Sequence, residues 1–108
     1  MNKIVQGTTP TVRFRIRNLG RVDLNKCTQI WITIVDSMGR EHFWDLTRIT
    51  INAAEGKISV KLTQQETLAM VIGMAVAQVR FLYQDGSAFP SKPKYLLIRK
   101  VRKGGVIS

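Results

Sequence analysis

The 108-residue chain holds one cysteine, Cys27, and one histidine, His42. With a single thiol no intrachain disulfide can form, and no Cys-x-x-Cys or paired Cys and His spacing exists to hold zinc. A Cys/His catalytic pair would require the fold to bring these two distant side chains together. Cys27 reads more simply as a core residue, and His42 as a residue on a strand surface. The acids occur singly. Asp36 lies in Asp36-Ser37-Met38-Gly39 and Asp85 in Asp85-Gly86, both turn sequences, while Glu66 closes the helix-cap pattern Thr63-Gln64-Gln65-Glu66. The chain has no glycine-rich phosphate loop, no His-Glu-x-x-His, no Gly-x-Ser-x-Gly and no Asp-rich calcium loop. No catalytic residue, cofactor site or metal site is therefore assigned, and the chain reads as a non-enzyme.

The residues left with chemistry to offer are cationic. Positions 11 to 17, TVRFRIR, alternate strictly, so Val12, Phe14 and Ile16 share one strand face and Arg13, Arg15 and Arg17 the other. The net charge of +10 is uneven: +5 over residues 1–26, −1 over 27–91 and +6 over 92–103. Such asymmetry points to an anionic partner. The candidate interface residues are Arg13, Arg15, Arg17, Lys94, Arg99, Lys100, Arg102 and Lys103. An acidic protein surface is the favoured partner. Nucleic acid is the alternative, weakened because Phe14 points away from the arginines beside it and no RNA-recognition signature occurs. A membrane is not expected, since no apolar insertion or lipidation motif accompanies the basic clusters. No signal-peptide pattern opens the chain, which places its synthesis and assembly in the cytoplasm.

Strands must position these groups. Residues 3–6 form a short piece suited to a sheet edge. After the arginine strand, residues 28–35 are apolar on both faces, as a central strand or one that meets a partner would be. Asp36 to Gly39 then turns into a strand over residues 41–46. Residues 48–52 and 57–62 make a second hairpin, with Ile58, Val60 and Leu62 inward. The capping box predicts about two helical turns from Thr63, with Leu68, Met70, Val71 and Ile72 on the apolar side and Gly73 as the stop. From Ala75 the period returns to two, with Ala75, Ala77, Val79, Phe81 and Tyr83 on one face. Asp85-Gly86 is the sharpest hairpin signal, and residues 95–101 are the expected partner strand, beyond a Pro-broken stretch that should stay out of a regular ladder. The fold class is all-β, an immunoglobulin-like antiparallel β-sandwich of about seven strands with one short helical connector. Residues 1–98 form the single domain, and residues 99–108 a basic, Gly-containing tail expected to order only in an assembly.

Several segments carry a resemblance: residues 4–11 (IVQGTTPT), residues 62–67 (LTQQET), Gly73 with residues 75–80 (AVAQVR), Asp85-Gly86 and Ser91-Lys92. The chain resembles small β-sandwich proteins of tailed phages and prophages of Gram-positive bacteria, similar to the N-terminal domain of baseplate upper proteins. The resemblance implies a virion structural module of tail, baseplate or head that binds other virion proteins and itself, with no catalytic residues. The chain departs from those proteins in its basicity, and it lacks the receptor-binding region that follows the sandwich in longer relatives. An adaptor, decoration or assembly role is thus expected rather than host recognition. A host-encoded adaptor of immunoglobulin-like fold is a further reading.

Overall fold

A computed structural model describes residues 2–16, 23–101 and 106. Two sheets face each other across one apolar core. The larger contains β1 (Asn2–Val5), β3 (Cys27–Val35), β4 (Glu41–Trp44), β7 (Gly73–Tyr83), β8 (Ala88–Pro90) and β9 (Lys94–Arg99). Its order is β1-β9-β7-β3-β4, with β8 also paired to β7. The smaller sheet, ordered β2-β6-β5, contains β2 (Thr11–Arg15), β5 (Ile49–Asn52) and β6 (Lys57–Lys61). Nine strands thus stand among the described residues where about seven were expected, and the short β8 and the edge strand β1 account for the difference. All pairings are antiparallel except β1 with β9.

Period-two alternation builds the core. Val12 and Phe14 of β2 and Ile58 and Val60 of β6 point inward from the smaller sheet. Ile30, Ile32 and Ile34 of β3 and Ala75, Ala77, Val79 and Phe81 of β7 answer from the larger, with Trp44, Leu96, Ile98 and Ile4 alongside. Tyr83, placed on the same face as the β7 residues by alternation, is only half-buried and packs its ring edge-on against Phe89 at 5.2 Å.

The hairpin at Asp36 closes through Gly39, whose φ of +80° suits glycine. The helix α1 (Gln64–Leu68) has the expected capping box but is shorter than two turns. Thr67 and Met70 supply its buried contacts, whereas Ile72 is exposed and Gly73 starts β7 instead of ending the helix. The Thr67 hydroxyl accepts from the Gly7 amide and donates to the Thr8 carbonyl, both at 2.9 Å, and Gln6 Nε2 donates to the Met70 carbonyl. The Leu62 amide donates to the Pro10 carbonyl. Segments 4–11 and 62–67, two of those that carry the sequence resemblance, are therefore in contact.

The Pro-broken stretch enters the sheet more than expected. Pro90 pairs with Arg80, and four residues later Lys94 pairs with Ala77, which is only three residues from Arg80. Three residues of the outer strand thus oppose two of β7, a β-bulge. Ser91 bridges it: its Oγ accepts from the Val79 amide at 2.9 Å, and its own amide donates to the Val79 carbonyl. The partner of β7 is otherwise the expected one, since β9 pairs with residues 73–77.

Candidate functional site

The polar side chains with most chemical potential are engaged internally. Asp36 is buried, and its carboxylate accepts from the Met38 and Arg40 amides through Oδ1 and from His42 Nε2 and the Val71 amide through Oδ2, at 3.0–3.2 Å. Burial alone would raise its pKa, but bonds from His42, Val71, Arg40 and Met38 outweigh it and hold the carboxyl at about 2. An ionised carboxylate only accepts, so His42 Nε2 carries the hydrogen. His42 is accordingly not a free strand-surface residue but the lock between β4 and the turn. Turn chemistry explains only half of Asp36, which also ties the hairpin to the segment before β7.

Glu66 does more than cap. It accepts from Trp44 Nε1 at 2.6 Å, from Arg48 Nη1 and Nη2 at 3.1 and 2.8 Å and from the Thr63 amide. Burial again opposes ionisation, and Arg48, Thr63 and Trp44 overcome it, placing the carboxyl at about 2. Cys27 packs beside the core, where burial first and Asp23 second raise its thiol pKa and disfavour the nucleophilic thiolate. It pairs with Tyr83 at one end of β3, while His42 pairs with Ile34 near the other, so the two do not meet. Among the described residues no three His, Cys, Asp or Glu side chains gather as metal ligands. Nor is any described helix long and apolar enough to cross a membrane.

What remains is surface, and each sheet offers a different one. Arg13 and Arg15 lie exposed on the outer face of the smaller sheet, across from Ser59 and Lys57, with Lys61 opposite Thr11. Four cations thus share this face, and the acid at its margin, Glu55, is paired to Lys57 at 2.7 Å. Arg13 and Lys57 also border a shallow depression of about 170 Å³ with Thr50, Asn52 and Ser59. Lys57 and Lys61 were not singled out from the sequence, although the alternation of Lys57-Ile58-Ser59-Val60-Lys61 matches that of the arginine strand.

The other expected interface residues disperse. Lys94 faces inward along the side of the sandwich, where Nζ donates to the Arg13 carbonyl and sits 5.4 Å from the centre of the Phe14 ring. Burial, and then Arg13, lower its pKa. It joins the two sheets. Arg99 ends β9 on the outer face of the larger sheet, and Lys100 follows it, exposed. Arg17, Arg102 and Lys103 lie outside the described residues, as does most of the tail.

The outer face of the larger sheet was not singled out from sequence, although the two apolar faces of residues 28–35 hinted at it. Phe43 is 68% exposed, Tyr95 56% and Met74 43%, with Val76 and Val5 also open to solvent. Register sets them side by side: Val35 opposes Val76, which opposes Tyr95, while Met74 opposes Leu97. Phe43 stands opposite Thr33 and borders a depression of about 280 Å³ shared with Trp31, Thr33, Glu41 and Arg80. A contiguous apolar face of this kind is uncommon on a monomer.

No protein-family profile matches the chain, and no curated protein sequence does. Among solved structures it is similar to CopC from Methylosinus trichosporium OB3b, with a TM-score of 0.55, 15% identity, and coverage of 96% of this chain and 88% of that one. That likeness shows the β-sandwich fold. A second similarity, to extracellular domains 3–5 of Drosophila OTK, has a TM-score of 0.32 and 11% identity over 95% of this chain and 33% of that one.

Proposed function

We propose that the chain is a non-enzymatic structural protein of a tailed-phage particle, acting as an adaptor, decoration or assembly module of tail, baseplate or head through protein–protein interfaces. The observation that carries this reading is the division of its surface. One sheet presents an apolar outer face and the other a cationic one, while Asp36, Glu66 and His42 are committed to internal hydrogen bonds. Such a molecule works by what it covers. The phage assignment rests on the resemblance of segments 4–11, 62–67 and 73–80, and it makes acidic surfaces of other virion proteins the partners of the cationic face. Small contacts suffice there, because symmetric repetition multiplies them across copies. Mass spectrometry of particles purified from an induced host tests the reading. The chain should be present at a fixed ratio to the tail or head proteins, and its absence from particles refutes the assignment.

The four-cation face favours a second reading, a basic β-protein that holds nucleic acid during packaging or regulation. Titration with duplex DNA at several salt concentrations separates the two. Four phosphate contacts give a slope of log K on log salt of about −3.6. No binding, or binding without a salt slope, removes this reading.

A further inference from the structure

We infer that the outer face of the larger sheet is the docking surface for a second copy of this chain, forming a two-fold dimer of sheets packed back to back. Composition, charge and size each support that occupant. An acidic or nucleic-acid partner would seek cations, yet the centre of this face is uncharged: Val35, Val76, Tyr95, Met74 and Leu97 occupy its adjoining rows. A chain of net charge +10 that associates with itself must keep its cations apart. Packing through the smaller sheet would press Arg13, Arg15, Lys57 and Lys61 against their own copies. Packing through the larger sheet sends those residues to the two far surfaces of the dimer.

The charged margin of the apolar face suits self-association as well. Glu41 stands on the edge strand β4, Lys3 and Arg99 on β1 and β9 at the opposite edge. A two-fold axis parallel to the strands lays β4 of one copy over β1 and β9 of the other, bringing Glu41 towards the opposing Lys3 and Arg99, and symmetry repeats the contact. Strand directions then agree, as in aligned sheet packing. Arg80 lies two rows from Val76, beside Trp31 at one end of the face, with the depression next to Phe43 between them. In this arrangement Phe43 of each copy lies over the β9 side of the other, towards its Tyr95, and the pair of contacts anchors the dimer.

Size permits a concentration-dependent contact. The five strands run from four residues in β1 and β4 to eleven in β7, and at about 3.3 Å by 4.8 Å per residue they cover on the order of 550 Å². That is below the roughly 800 Å² that each partner of a standard interface buries and within the range of weak, specific interfaces.

Sedimentation velocity of the full chain, from micromolar to near-millimolar concentration, tests the inference. The expected result is a species of twice the 12.2 kDa chain mass that persists when salt is raised, because its contact is apolar. Phe43→Glu and Tyr95→Glu, both on exposed positions, should each weaken the dimer by about 30-fold or more, as loss of a central aromatic anchor does. Arg13→Glu, on the opposite face, should leave it intact. Melting of each variant shows whether it folds, and if one does not, the other decides. A chain that stays monomeric at every concentration overturns the inference, as does a dimer indifferent to both aromatic substitutions or one broken by Arg13→Glu. The inference is independent of the phage reading, which particle composition tests by itself.

Discussion

Replacing Asp36 by asparagine removes a charge from a buried carboxylate that accepts four hydrogen bonds while leaving its shape. Lowering the carboxyl from its ordinary 3.8 to about 2 favours the ionised folded form by roughly 2–3 kcal/mol, at about 1.4 kcal/mol per pH unit. Asparagine also turns an NH2 group towards one pair of donors, either the Met38 and Arg40 amides or His42 Nε2 and the Val71 amide. A buried donor left without an acceptor costs about 1–3 kcal/mol more. Asp36→Asn should therefore lose about 3–5 kcal/mol at neutral pH, a large share of a small domain's stability. Urea unfolding across pH supplies a second signature. Between about pH 4 and pH 2 the unfolded carboxyl holds its proton while the folded one does not, so acid favours unfolding. The contribution of Asp36 is complete above about pH 4 and disappears as the pH falls through about 2. Glu66 titrates in an overlapping range, so the difference between wild type and variant is the informative curve. It should narrow by roughly 2–3 kcal/mol on acidification through that range. A loss below about 1 kcal/mol at neutral pH, or parallel pH curves, refutes the reasoning.

Phe14→Ala should cost about 3–5 kcal/mol in urea unfolding, because the ring is buried in the core and also carries the Lys94 ammonium. Ser91→Ala leaves the Val79 amide without its acceptor at the bulge and should cost about 1–3 kcal/mol, with faster hydrogen exchange at Val79. Glu66→Gln should destabilise by about 2 kcal/mol or more and shift Trp44 emission, whereas Arg48→Ala should cost less than about 1 kcal/mol, since that guanidinium is 40% exposed.

Period-two patterning made most of the fold legible. Val12 and Phe14 of β2 and Ile58 and Val60 of β6 were assigned inward from alternation alone, and Ala75, Ala77, Val79 and Phe81 of β7 were placed on one face, because one buried face imposes that period. Asp36-Ser37-Met38-Gly39, Asp85-Gly86 and the Thr63 capping box were readable for a comparable reason: each encodes a local backbone geometry. The pairings of Asp36 with Val71, of Glu66 with Trp44 and of Thr67 with Gly7 were not readable, since nothing local specifies which distant segment a turn or helix will touch. The cationic surface was half legible. Arg13 and Arg15 stood out by repetition, but only the β2–β6 register adds Lys57 and Lys61, and the fold sends Lys94 and Arg99 elsewhere. The apolar outer face stayed hidden because Phe43 and Tyr95 lie about fifty residues apart in sequence and reach the same face only through three strand pairings.

The bulge at Ser91 also has a consequence for length. With Phe89 opposite Phe81, odd positions of β8 face the core side, yet in β9 the even positions Lys94, Leu96 and Ile98 do. The extra residue between Pro90 and Lys94 makes that change of parity. A deletion of one residue from 91–93 would remove the bulge and leave two residues opposite Val79 and Gln78, so Lys94 would still pair with Ala77 and Lys94, Leu96 and Ile98 would keep their face. Shortening this segment by one residue should thus spare the faces of β9, whereas a deletion within β9 itself would reverse them for every residue beyond it.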